Sequence, residues 1–386
     1  MNKYNFDDIT NRRGTDSIKY SDSRADLLPM WVADMDFKVL PEITKAIKDK
    51  AEIPSYGYVD VPKDYFESYI GWFKRHHNFE INPDSCIFST GVIAALDSIF
   101  KHLLKEGDGV VLQTPVYHTF FNCINNNKLV LSENQLLYEN GEYRVDWDGF
   151  ENIINSGKIK AFLLCNPHNP TGIAYNKSDL NRFAKLCLEH DILVISDEVH
   201  GDICEPGYSY TSILEVDEKY RKNVIALFSP SKAFNVASIH AAMVVAPDNN
   251  LREIIQNGVW SDDVGEPGFF SCAPTIAAYN YGDDWNKEMC EYVQKNKEYV
   301  VEYFKKNLPN IHIVKSHFLY LMWMDISYYS NESEKFSDGL KEKTGIWVSD
   351  GNQFKGNGKS FIRVNVATSL KNVKDFCDRI KKYLDK

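Results

Sequence analysis

Between residues 86 and 232 the chain repeats one pattern: a short, continuously apolar run, a polar turn, then an amphipathic stretch. The runs occupy residues 87–88, 110–112, 161–164, 192–195 and 224–228, in "CIFSTG", "GVVLQTP", "IKAFLLCNP", "DILVISDE" and "NVIALFSP". Strands apolar on both faces must be covered on both faces. When helices separate them, the solution is a parallel sheet between two helical layers. The connecting segment "DLNRFAKLCLEHD" sets Leu180, Phe183, Leu186 and Cys187 at helical spacing, which predicts an amphipathic helix. The fold class is therefore α/β, with a mostly parallel central sheet.

The flanks read differently. "VLPEITKAIKDKAE" carries a proline near a helix start and apolar positions at Ile43, Ala46 and Ile47. "GIWVSDGNQFKGNGKSFIRVNVA" predicts strands joined by a Gly/Asn-rich turn, and "LKNVKDFCDRIKKYL" a closing helix. That is an α+β pattern. A chain of 386 residues exceeds the size at which one core stops growing. The expected organisation is a large domain over 51–285 and a small α+β domain over 286–386. An N-terminal segment, 1–50, is expected to contribute to the small domain and to contacts with a partner subunit.

Composition removes several classes of function. A formal net charge of -10 argues against nucleic acid or an anionic membrane as the main partner. The polar start "MNKYNFDDITNRRGTDS" has no apolar signal core, and no apolar run is long enough to span a bilayer. The eight cysteines are scattered without a C-x-x-C pair, which predicts reduced thiols in a cytoplasmic protein. "GNGKS" at 356–360 resembles a phosphate loop, but its first required glycine is Gln353 and a strand follows, so a hairpin turn is expected. "CLEH" and His76-His77 lack companion ligands at zinc spacing; exposed helix histidines and no metal site are expected.

Ligands of an open parallel sheet bind beyond the carboxyl ends of the strands. There this chain delivers Ser89, Thr90 and Gly91 at a helix start, then Pro115 and Tyr117, then Asn166 and Asn169. Asp197 and His200 follow the next run, and Ser229, Ser231 and Lys232 the last. Each has a plainer reading alone: Lys232 as a solvated loop residue, Asp197 as a cap, Tyr117 as core, Ser89–Gly91 as an ordinary helix start. Together they form a phosphate cradle, an aromatic plate, amide donors, a carboxylate and a lysine. Pyridoxal phosphate, an aromatic phosphorylated aldehyde, would use all of them, with Lys232 forming the imine and Asp197 pairing with the ring nitrogen.

"CNPHNPTG", "SDEVHGD" and "SPSKAF", in this order, resemble the fold-type I pyridoxal-phosphate enzymes of the class I/II aminotransferase superfamily. Within it, "PMWVADMDF", "YGY", "SDEVH" and "SKAFN" look like the cystathionine β-lyase branch, the MalY/PatB-type C–S lyases. The resemblance implies an aspartate-aminotransferase-like fold and a homodimer with shared active sites. It implies Lys232 as the cofactor lysine, Asp197 on the pyridine nitrogen, Asn169 on the ring hydroxyl and Tyr117 stacked on the ring. Gly91, Val92 and Ser229 would hold the phosphate, helped by Tyr58 from the second subunit. Arg363 in "FIRVN" would grip the substrate carboxylate, with Ala33 and Asn169 beside it.

One departure is informative. Many aminotransferases place a glycine and a phosphate-binding arginine six and eight residues after the lysine; here Ser238 and His240 stand there. That is compatible with the lyase branch and weakens the aminotransferase reading without excluding it, with His240 taking part of the arginine's role in cofactor binding. The expected reaction is β-elimination from a sulfur amino acid such as cystathionine or cysteine, giving thiol, pyruvate and ammonia. The rivals are an aminotransferase and a regulator that binds a partner protein on the same scaffold.

Overall fold

The computed structural model describes residues 3–22, 24–77 and 79–385. Seven strands form the central sheet, in the order Cys86–Ser89, Ala242–Val245, Val224–Phe228, Leu193–Asp197, Ile159–Cys165, Gly109–Thr114, Val130–Gln135. Ala242–Val245 runs antiparallel to both neighbours, and the remaining pairs are parallel. Each of the five apolar runs forms a strand, with Ile192 just before its own. The reason shows along Val224–Phe228: Val224, Ala226 and Phe228 pack into one core cluster, while Ile225 and Leu227 pack into another on the opposite face. Alternate side chains serve two cores, so no position along the strand is free to be polar.

Helices cover both faces. Val92–Leu103 buries Ala95, Leu96, Ile99 and Phe100 on one stripe. Lys177–Glu189 buries Leu180, Phe183, Ala184 and Cys187. Its start is fixed by Asn176, whose side chain accepts the Asp179 N–H at 3.0 Å. Removing Leu180 and Phe183 from water stabilises this packing by about 1.5–3 kcal/mol each.

A second, four-stranded antiparallel sheet orders His312–Ile313, Leu321–Asp325, Phe361–Asn365 and Ser349–Asp350. The closing helix is Leu370–Leu384. Leu28–Pro29 pairs in parallel with Ile346–Trp347, which lays the N-terminal segment beside this region. Ser349–Asp350 and Phe361–Asn365 are joined as a hairpin, but not by a tight turn: 351–360 coils through two short 3-10 turns. Gly351 and Gly358 lie back to back there. A Cβ on Gly358 would fall 2.0 Å from the Gly351 carbonyl oxygen, so a side chain at either position would break the loop.

The histidine expectation needs one correction. His190 is exposed, but His77 is tucked in with a side chain 6% exposed, its Nε2 2.9 Å from Asp202. Asp202 also takes the Trp72 indole N–H at 2.7 Å, so this pair belongs to the packing of the Lys63–His76 helix. Among the described residues no helix is long and apolar enough to cross a membrane, and no group of three metal-ligating side chains occurs. All eight cysteines are free thiols.

Candidate active site

The carboxyl ends of the parallel strands and one strand of the second sheet enclose a cavity of about 210 Å³. Its walls include Trp31, Ala33, Tyr117, His118, Asn169, Asp197, His200, Lys232 and Arg363. Seven residues singled out from sequence therefore meet here: Lys232, Asp197, His200, Tyr117, Asn169, Arg363 and Ala33. Gly91, Val92, Ser229, His240 and Tyr58 lie outside its lining. His240 is exposed, in a left-handed conformation at φ 54°, on the wall of an adjoining cleft of about 1410 Å³ that shares Ala33 and Lys232. Tyr58 is 95% exposed, on a segment without helix or strand. Ser229 spends its hydroxyl proton on the Ala241 carbonyl at 2.8 Å and accepts the Ser231 N–H at 3.2 Å.

Asp197 ends its strand with a carboxylate only 5% exposed. Burial pushes its pKa up to about 6, against the opposing pull of the Val199 N–H, donated at 3.1 Å, and of Lys232. Asp197 is thus both a turn cap and a wall of the cavity. Next to it, Glu198 points the other way, accepting from the Ser196 hydroxyl and the Ile213 N–H at 2.8 Å each. Its pKa is pushed up to about 7, again chiefly by burial.

Lys232 faces the cavity and donates to the Ala33 carbonyl at 2.8 Å. Burial, then the charge of Arg363, lowers its pKa, while Asp34 and Asp197 pull upward. His200 is held well below its ordinary pKa by burial and by the Lys232 and Arg363 charges. Its Nδ1 has no protein partner.

Arg363 lies inside a strand and is itself buried. One nitrogen donates to Asn169 Oδ1 at 3.1 Å, and another to the Trp31 carbonyl at 2.8 Å and Ser349 Oγ at 3.2 Å. Among the described residues no carboxylate pairs with it, and its Nε has no protein partner. Burial pulls its pKa down to about 10. A buried, uncompensated guanidinium is costly and is best explained by an anion that it receives.

The segment at 31–36 contributes Trp31, Val32 and Ala33 to one wall and is pinned from two directions. Asn365 donates to the Val32 and Asp34 carbonyls at 2.6 Å each, and Asn235 bonds Met35 N–H and the Met35 and Phe37 carbonyls. Behind it Asp36, 2% exposed, receives Lys19 and Arg12 at 2.9 Å each. Burial opposes its ionisation, but the Lys19 charge and the Arg12 bond outweigh that and hold its carboxyl below the usual range.

Residues 25–380 match the model of the aminotransferase class I and II family. The chain belongs to that family. Among its relatives, cystathionine beta-lyase PatB of Bacillus subtilis (strain 168) is 31% identical, over 98% of this chain and 99% of the relative. Cystalysin from Treponema denticola, whose structure contains a pyridoxal 5'-phosphate cofactor, superposes with a TM-score of 0.95 at 27% identity, over 99% of both chains. The PLP-bound C-S lyase from Staphylococcus hominis gives 0.93 at 28%, over 99% of this chain and 98% of that one. As in any class I and II aminotransferase-family chain, the fold is now fixed, and activity has to be argued from the site.

Among the residues that escaped the sequence reading are His118, in the cavity lining, and Tyr320, outside that lining but bonded to Ala33 within it. His118 directly follows Tyr117, and its buried Nδ1 lacks a partner. Tyr320 sits in "HFLYLMWMD", an apolar run that reads as plain core, yet its hydroxyl donates to the Ala33 carbonyl at 2.9 Å. The only sequence signal for either was a polar atom within an apolar segment.

Proposed function

We propose that this chain is a pyridoxal-phosphate-dependent carbon–sulfur lyase, eliminating a thiol from Cβ of a sulfur amino acid such as cystathionine or cysteine to leave pyruvate and ammonia. The observation that carries the reading is the convergence of Lys232, Asp197 and the carboxylate-free Arg363 on one cavity. The site fits the cofactor on its own chemistry. His200 Nδ1 and Arg363 Nε are buried without partners. The Val92–Leu103 helix begins with no side-chain cap, and a Cβ on Gly91 would meet no protein atom within 4 Å. That leaves room and free N–H groups for a phosphate.

When bound, the cofactor supplies an electron sink for the carbanion formed at the substrate's Cα. Lys232 is the residue that would bond it, and Asp197 the one that would face its ring nitrogen. A carboxylate whose pKa burial raises to about 6 would be shifted toward its ionised form by a cation beside it. Asn169 would meet the ring hydroxyl and Tyr117 the ring face. Gly91, Val92 and Ser229 would hold the phosphate, with His240 at the neighbouring cleft. Arg363 would fix the substrate's α-carboxylate by a bidentate pair beside Ala33. With its pKa lowered, Lys232 is more readily neutral, so it can take the α-proton and return it to the leaving sulfur.

The domain organisation proposed from sequence, with 51–285 carrying the cofactor and 286–386 carrying Arg363, sets the substrate between the two sheets. A cytoplasmic setting goes with the free thiols. A homodimer goes with Tyr58, whose exposed ring has no work in its own protomer. Mixing a Tyr58→Phe chain with a Lys232→Ala chain should restore part of the activity in heterodimers, measured after subunit exchange. Full activity from a strict monomer would remove the shared site. For the reaction itself, a thiol reagent added to protein and cystathionine should detect homocysteine without any keto acid. Transfer of the amino group would release none.

A further inference from the structure

Two donors meet on the carbonyl oxygen of Ala33. Lys232 Nζ lies 2.8 Å away and Tyr320 Oη 2.9 Å. They arrive from different sheets: Lys232 follows Val224–Phe228, and Tyr320 immediately precedes Leu321–Asp325. Tyr320 is fully buried, with its ring centroid 6.4 Å from that of His200. Burial holds its hydroxyl far above the ordinary tyrosine pKa, so it stays a neutral donor. The carbonyl cannot turn away, because Asn365 clamps the carbonyls on either side of it, those of Val32 and Asp34.

We propose that Tyr320 is a positioning residue for cofactor attachment, keeping the Ala33 carbonyl hydrogen-bonded when Lys232 leaves it; this rests on the pyridoxal-phosphate reading above. Attachment removes the lysine's donors. Neutral Nζ adds to the aldehyde carbon, a C=N bond replaces the C=O bond, and the oxygen departs as water with the two protons that Nζ carried. A partly buried carbonyl whose one donor withdraws bears the cost of an unmade hydrogen bond. Tyr320 removes that cost, since its own bond survives the step. Before attachment it also divides the carbonyl's accepting capacity, so the Lys232 ammonium is held less tightly than by an undivided acceptor. The two effects have the same sign and favour the linked state.

Tyr320→Phe keeps the ring and deletes only the hydroxyl. The full chain, stripped of cofactor, is titrated with pyridoxal 5'-phosphate while the absorbance of the lysine link is followed. A parallel titration uses pyridoxamine 5'-phosphate, which carries an amine in place of the aldehyde and cannot bond Lys232. The variant should bind pyridoxal 5'-phosphate roughly 5- to 20-fold more weakly, the size expected when a buried acceptor loses a donor. Its affinity for pyridoxamine 5'-phosphate should stay within about twofold, which also shows that the variant is folded. Equal weakening for both ligands would make Tyr320 a packing residue and overturn the proposal; unchanged affinity for both would overturn it as well. If the unaltered chain itself forms no link at Lys232, the cofactor reading fails instead.

Discussion

Lys232→Ala should lose turnover by about 10⁴-fold, the upper range for a positioned proton-transfer group, while still binding cofactor through its other contacts. Both halves follow from the geometry. Tyr117, Asn169, Asp197 and the Gly91–Val92 helix start do not depend on Lys232 for their places. What disappears is the only amine among the described residues of the cavity lining. Borohydride treatment followed by peptide mapping should label Lys232 in the unaltered chain and no lysine in the variant. Retained turnover, or a label elsewhere, would move the cofactor to another site.

Asp197→Asn should act in opposite directions on function and on stability. Removing one partner of a buried charge pair costs about 3–5 kcal/mol, so turnover should fall by roughly 10²–10⁴-fold, with weaker cofactor retention. The cofactor-free chain, by contrast, should become more stable at neutral pH. The folded pKa of about 6 lies above the ordinary 3.8, so the folded chain binds this proton more readily than the unfolded chain does. Ionisation of Asp197 therefore costs stability above pH 6, and that cost vanishes as pH falls from about 6 toward 3.8. Its size is roughly 2–3 kcal/mol. Thermal unfolding of the cofactor-free proteins should show the variant ahead at pH 8 and level with the parent near pH 4. An advantage that persists at pH 4 would assign the effect to something other than this carboxylate.

Such a trade between stability and site chemistry explains why so much of the site could be read in the sequence. The strands announce themselves because both faces are buried, and polar groups placed directly after them have nowhere to go except the ligand edge. Lys232, Asp197 and Asn169 were legible on that ground alone. Arg363 was not: inside "FIRVN" it looks like a strand residue, and only the family resemblance singled it out. Tyr320 was hidden more deeply, since an apolar neighbourhood makes a tyrosine look like core and its one hydrogen bond crosses between sheets. The Lys19–Arg12–Asp34–Asp36 cluster joins residues whose sequence neighbourhood is polar and unpatterned. The loop at 351–360 was read as a simple turn because sequence spacing does not show that Gly351 and Gly358 touch. Among the described residues Tyr58, 95% exposed, has no hydrogen-bond or ring partner to give it meaning.

On the proposed reading, a lyase and an aminotransferase would both use Lys232, Asp197 and Arg363 and the same loss of the α-proton, so the deciding quantity is what accumulates afterwards. Purified protein loaded with pyridoxal 5'-phosphate is incubated with excess cystathionine and no keto acid, and pyruvate is counted per active site. Elimination predicts many equivalents, rising steadily and matched by equal homocysteine and ammonia, with the lysine link restored after each turnover. A halt after one equivalent of amino group transferred, with pyridoxamine 5'-phosphate on the protein, no free thiol, and activity resuming only on addition of a keto acid, would contradict the account.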